Sequence, residues 1–143
     1  MSRMILDVSI PGPPATQGSK RYVGNGRVIE SDKRLASWRA EARHIAAQNF
    51  VLDEPTKNAV TVLILWCITR PKSHYGTGAN ADVVKESAPL RPTTKPDVDK
   101  VARAVLDALT SVVYVDDAQV VSLRIAKAYG SPETFVKVME RTS

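Results

Sequence analysis

The chain is poor in the residues that build soft-metal sites and cross-links. Its 143 residues include one cysteine, Cys67, and two histidines, His44 and His74. A single cysteine excludes a disulfide framework within the chain. Its place in the apolar run VTVLILWCI marks it as a small buried hydrophobe rather than a reactive thiol. Histidines 30 residues apart make a poor zinc pair and read as ordinary surface or loop residues. The opening stretch MSRMILDVSI is short and interrupted by Asp7, so neither a signal peptide nor a membrane span is expected, and the chain reads as cytoplasmic. There is no internal repeat and no low-complexity tract. We therefore expect one domain over residues 1–143, large enough to bury roughly two thirds of its unfolded surface without staples.

What is present is an ordinary globular composition with a positive bias. Hydrophobic residues make up 43% and charged residues 24%, which argues against disorder. Lys and Arg number 20 against 15 Asp and Glu, a net charge of +5 with a pI near 9.5. Such a balance favours an anionic partner, nucleic acid being the commonest. Lys20, Arg21 and Arg27 fall in a loop and hairpin, Lys33, Arg34, Arg39 and Arg43 on one helix, and Arg70 and Lys72 before a long loop. They suit phosphate contacts and equally a solvated surface.

Periodicity places the elements. MILDVSI alternates apolar and polar residues, as a half-buried strand does, and PGPP stops it. RYVGNGRVIE sets Gly24-Asn25-Gly26 between two short β-type segments, a hairpin. From Ser31, a candidate N-cap, SDKRLASWRAEARHIAAQNF spaces Leu35, Trp38, Ala42, Ile45 and Ala46 as one face of an amphipathic helix. AVTVLILWCIT is continuously apolar, which predicts a central strand buried on both faces. Residues 70–95 show no sustained period and read as a long loop, a length usually functional or disordered. Val98, Val101, Ala102, Val105, Leu106 and Leu109 then trace a second helix. Ser111 to Val115 is expected to enter a short strand, and QVVSLRIAKAY and TFVKVME supply two more. The sum is an α+β fold: a small mixed sheet packed with two main helices.

Against the basic background, carboxylates gather at two turns. In KPDVDK, Asp97 and Asp99 are two residues apart; in extended chain such residues share a face and are about 7 Å apart, able to converge on one cation. The simpler account is a helix N-cap favoured by the macrodipole. Asp116 and Asp117 follow VVYV and precede a strand. Adjacent residues in extended chain point opposite ways, so at most one can join the first pair and the other is a turn or capping residue. Clustered carboxylates repel unless a divalent cation compensates, and oxygen ligands without His or Cys point to Mg²⁺ or Mn²⁺. Arg103 stands four residues after Asp99 and four before Asp107, with Lys100 one residue round. It forms either a surface ion-pair ladder or a contact to a reacting phosphate.

The stretch PDVDKVARAVLDALTSVVYVDDAQVVSLRIAK resembles the RusA family of Holliday junction resolvases, small endonucleases of phages and bacteria. Its pattern is DxD, a helix with a basic residue ending near DAL, then an aromatic and an apolar residue before DDxQV. Here these are Asp97-Val98-Asp99, Arg103, Asp107-Ala108-Leu109 and Tyr114-Val115-Asp116-Asp117-Ala118-Gln119-Val120. The resemblance is dense over residues 95–129, and IPGPPATQGSKRY is similar to the family's opening strand and proline-containing loop.

It implies a RusA-like fold and a Mg²⁺-dependent homodimer, with Mn²⁺ a possible substitute, that nicks two strands of a four-way DNA junction symmetrically in recombination and repair. The metal-binding acids it implies are Asp97, Asp99 and Asp117. The family's catalytic lysine falls on Arg103, which keeps the charge but, always protonated, cannot exchange a proton; Lys100 offers an ammonium nearby. Lys20, Arg21, Lys72 and the long loop are the candidate DNA contacts. The rival readings are a non-catalytic DNA-binding module whose acids only cap helices, and a metal-dependent nuclease acting on flaps or forks.

Overall fold

The computed structural model describes residues 1–12, 20–22, 28–30 and 34–142, with the backbone alone at 20–22 and 28–30. The elements are β1 (Ser2–Pro11), β2 (Lys20–Tyr22), β3 (Val28–Glu30), α1 (Leu35–Asn49), β4 (Ala59–Ile68), α2 (Val98–Leu109), β5 (Val120–Tyr129) and β6 (Glu133–Arg141). Four strands form a mixed sheet in the order β1-β6-β4-β5. β6 runs antiparallel to both β1 and β4, and β4 and β5 are parallel. β2 and β3 make a separate antiparallel pair with Tyr22 opposite Val28. The hairpin is thus seen in its strands, whereas its Gly24–Gly26 turn and the expected N-cap Ser31 lie outside the described residues.

Period-two patterning decides which way each strand faces. Leu6, Val8 and Ile10 of β1, Val60, Val62, Ile64 and Trp66 of β4, and Val136 and Val138 of β6 are buried on one side. There they meet Leu35, Trp38, Ala42 and Ala46 of α1 and Val101, Val105 and Leu109 of α2 in a single core cluster. α1 carries the expected apolar face, starts at Leu35 with Arg34 rather than Ser31 at its N-cap position, and packs on β1 and α2. The α+β architecture, with a mixed sheet and two main helices, is the one expected. Among the described residues no helix is long and apolar enough to cross a membrane.

Three expectations need correction. β4 is interior to the sheet but buried on one face only, since both helices lie on the same side; Leu65, on the other side, is 40% exposed. Cys67 shares that open face and is half-buried, its thiol pKa raised by burial and by the field of Glu133. The segment 70–95 is less featureless than its sequence. It contains 3-10 turns at Lys72–His74 and Gly78–Asn80 and a bridge between Tyr75 and Val84. It is tied to β5 by Arg70, which lies 4.2 Å from the Tyr129 ring centre and donates to the Pro89 carbonyl at 2.8 Å. Finally, Ser111–Val115 forms a tight turn, not a strand. Ser111 adopts φ 65°, and the buried Tyr114 hydroxyl donates to the Leu106 carbonyl at 2.8 Å, locking the chain against the end of α2. Burial holds the Tyr114 phenol well above its ordinary pKa.

Among the described residues, one carboxylate is buried. Glu140 of β6 is 4% exposed and accepts from Arg3 at 3.0 Å, from the Thr56 hydroxyl at 2.9 Å and from the Asn58 amide. These bonds to the charged form, Arg3's first, outweigh desolvation and hold its pKa below the ordinary value. A depressed folded pKa contributes stability that is complete above the unfolded value and is lost as pH falls through the folded one. Glu140→Gln is therefore expected to lower unfolding free energy at neutral pH by about 1–3 kcal/mol. It should also flatten the acid limb of stability, both measured by urea denaturation along a pH series.

Candidate active site

α2 begins where Pro96 and Asp97 leave the extended chain. Asp97 occupies the N-cap position with φ −78° and ψ 149°, yet its side chain makes no capping hydrogen bond. Asp99 already lies in the first helical turn. The expected extended pair on one face is therefore not formed, because the helix starts at Val98, and helical residues two apart do not face each other. Both carboxylates are exposed at the positive end of the helix. The approach to them is anchored from β5: Lys127 donates to the carbonyls of Thr94 at 2.8 Å and Pro96 at 3.3 Å.

The second acidic turn divides its two aspartates by role. Asp116 caps the 3-10 turn Asp117–Gln119, accepting from the Ala118 amide at 2.9 Å. Gln119 completes a capping box by accepting from the amides of Val115 and Asp116, each at 2.9 Å. Its amide group then donates to the carbonyls of Thr56 at 2.8 Å and Asn58 at 2.9 Å. Asp116 is thus the turn residue, and Asp117 has its side chain elsewhere.

Asp117 faces Arg103. The Arg103 guanidinium donates to Asp117 and to Asp107 Oδ1, the latter at 2.9 Å and one helical turn further on. It does not pair with Asp99. Burial works against the Arg103 charge, but the hydrogen bond to Asp117 and the fields of Asp107 and Asp117 outweigh it, so its pKa stands above the ordinary value. Lys100, a turn nearer the helix start, is half-buried. This arrangement fastens the DD turn to the side of α2. It does not gather the three acids: among the described residues, no three His, Cys, Asp or Glu side chains come close enough to hold a metal ion.

The basic residues separate into two kinds. Arg43 of α1 donates to the Ala108 carbonyl at 3.2 Å, the Thr110 carbonyl at 2.8 Å and the Ser111 hydroxyl at 3.2 Å, closing the open end of α2. With Arg70 it has a structural post rather than a surface one. Lys72 is exposed in the first turn of the loop. Lys20 and Arg21 belong to β2, their side chains outside those described; Arg27 and Lys33 lie outside the described residues altogether. Lys127, Thr56 and Asn58 escaped sequence reasoning. Gln119 entered it only as a member of the DDxQV pattern, although the Asp116-x-x-Gln119 spacing is also that of a capping box.

Residues 11–139 match the family model described as endodeoxyribonuclease RusA. A curated relative, "Uncharacterized protein YqaN" of Bacillus subtilis (strain 168), is 34% identical over 140 residues, covering 95% of each chain. The matched span takes in both acidic turns, α2 and the strands that carry them, and on that ground the chain belongs to the RusA family of endodeoxyribonucleases, which act on Holliday junctions.

Proposed function

We propose that the protein resolves four-way DNA junctions by paired, symmetric phosphodiester hydrolysis, as a homodimer using Mg²⁺ held by Asp97, Asp99 and Asp117. The observation that carries this reading is the Arg103–Asp117 ion pair, which fastens one acidic turn to the helix headed by the other. The donors are carboxylates alone, the chemistry of a hard divalent cation such as Mg²⁺, with Mn²⁺ a substitute. Bound there, the cation supplies a Lewis acid that lowers the pKa of water and offsets charge on the phosphate.

Asp97 and Asp99 present exposed oxygens at the head of α2. Asp117 is paired with Arg103 and must exchange that partner to join them. Asp107 is the second acceptor already in place for the guanidinium, so Arg103 can turn toward the reacting phosphate without leaving its own charge unpaired. Being always protonated, Arg103 stabilises charge there and does not transfer a proton; Lys100 is the nearer candidate for a group that does. A twofold junction cut twice matches two copies of one site related by symmetry. Phosphate contacts from Lys20, Arg21 and Lys72 give affinity without base readout. The compartment that supplies such junctions is the cytoplasm of a bacterium or of a phage-infected cell.

Four-way junctions are expected to be nicked in pairs in Mg²⁺ and left intact in EDTA, and linear duplexes to be spared. Asp99→Asn should reduce the junction rate at least about a hundredfold, the scale for losing a group that stabilises transition-state charge, with junction binding in EDTA unchanged in a gel-shift titration. Arg103→Ala releases Asp117, so Mn²⁺ affinity measured by electron paramagnetic resonance should hold or tighten while single-turnover cleavage falls by a similar factor. Lys72→Ala should weaken junction binding at every sequence and reduce the log–log salt slope by about one.

A further inference from the structure

The loop between β4 and α2 is ordered without burying itself. Every residue from Thr77 to Ser87 is exposed, so this part of the chain adds little to the core. Its backbone nevertheless closes around Tyr75, which bridges to Val84. On either side, the Gly76 amide donates to the Val83 carbonyl at 3.0 Å and the Lys85 amide to the His74 carbonyl at 2.8 Å. At Gly76 a side chain would stand 2.7 Å from the Asn80 carbonyl oxygen, so glycine is what lets the chain turn back there. The result is a half-buried Tyr75 ring fixed at the end of the sheet.

There Tyr75 borders an open hollow of about 400 Å³, together with Thr69 and Arg70 just past β4 and the turn from Tyr129 to Pro132. That volume is in the range of small-ligand sites. The lining offers two aromatic rings, a guanidinium and the hydroxyls of Thr69 and Ser131, and no carboxylate. The wall is braced from behind. Arg70 lies 4.2 Å from the Tyr129 ring centre and donates to His74 Nδ1 at 3.1 Å, while the His74 ring meets Tyr129 edge-on with centroids 5.5 Å apart. A flat ligand with polar edges and negative charge close by suits such a place. A nucleobase in a strand is one, since any base has a face to stack on an aromatic ring.

We propose that the hollow takes one unstacked nucleotide of the DNA strand being cut, its base against the Tyr75 ring and its polar edge at the Thr69 and Ser131 hydroxyls. The proposal rests on the nuclease reading above and adds where one base of the substrate goes. Its position in the fold argues for it. Tyr129 stands two residues beyond Lys127 on the same side of β5, about 7 Å along the strand. Lys127 in turn donates to the carbonyls of Thr94 and Pro96, immediately ahead of Asp97. A strand with a phosphate at the head of α2 therefore has the hollow beside it. Turning a base out costs least where its stack is already interrupted, as at the centre of a junction.

The test compares the full-length chain as wild type, Tyr75→Leu and Tyr75→Phe, all in EDTA. Two short single strands of equal length and charge serve as ligands, oligothymidylate and the same backbone without bases. We expect wild type and Tyr75→Phe to prefer oligothymidylate about tenfold, the scale of one base stacked on one ring. Tyr75→Leu should bind the two strands alike. A general loss of structure would weaken both strands instead, so the phenylalanine rescue and the lost preference together isolate the ring. In four-way junctions carrying 2-aminopurine at one position at a time around the branch point, one position should change its emission with wild type and not with Tyr75→Leu. Equal binding of the two strands by wild type, or a preference kept by Tyr75→Leu, overturns the proposal. Thymidine monophosphate binding as tightly as oligothymidylate also overturns it, by giving the hollow to free nucleotides. Nicking of junctions in Mg²⁺ by the same wild-type preparation separates this proposal from the reading beneath it. Nicking with no responding base overturns the hollow alone. A Tyr75-dependent base with no nicking in Mg²⁺ or Mn²⁺ supports the hollow and overturns the nuclease reading.

Discussion

A buried carboxylate is tolerated only if donors surround it, and Glu140 obliges two separate stretches of chain to supply them. Arg3 comes from β1, and Thr56 and Asn58 from the approach to β4. The carbonyls of Thr56 and Asn58 in turn receive the Gln119 amide, whose oxygen caps the turn that carries Asp116 and Asp117. The polar chain therefore runs from the edge strand through the core to the candidate active site. The position of Asp117 is set in part by a glutamate that takes no share in the chemistry.

Arg103 continues this chain into α2. Its guanidinium holds Asp117 and Asp107 together, two carboxylates that would otherwise repel across a short gap. A single guanidinium nitrogen of Arg103 meets both acceptors, so the DD turn and the body of α2 share one cation.

Much of this was legible in the sequence where one physical rule dominates. Helix periodicity located α1 and α2, alternation located β1 and β5, and the spacing of DxD and DDxQ brought out the acidic turns. What failed did so where two rules compete. AVTVLILWCIT is apolar on both faces, but only one is covered by helices, and no count of hydrophobic residues distinguishes cover by a helix from cover by something else. The 97–99 pair depended on whether the helix begins before or after Val98, a boundary that shifts every facing relation by about 100°. Arg43 and Lys127 were invisible as structural residues, because a cation that reaches distant carbonyls looks in sequence like any other surface charge.

The strand order has a consequence for how the chain acquires its shape. β6 follows both β1 and β4 in the sequence, yet it lies between them in the sheet. Until it emerges from the ribosome, β1 and β4 each lack the neighbour that both are built to share, and their apolar faces are held only by the helices. The sheet is therefore closed by contacts between the two ends of the sequence, Ser2 opposite Arg141 and Asp7 opposite Lys137. Contacts this far apart in the chain are slow to form and leave strand edges open meanwhile. A sheet of this order is exposed to aggregation mainly before β6 has docked between β1 and β4.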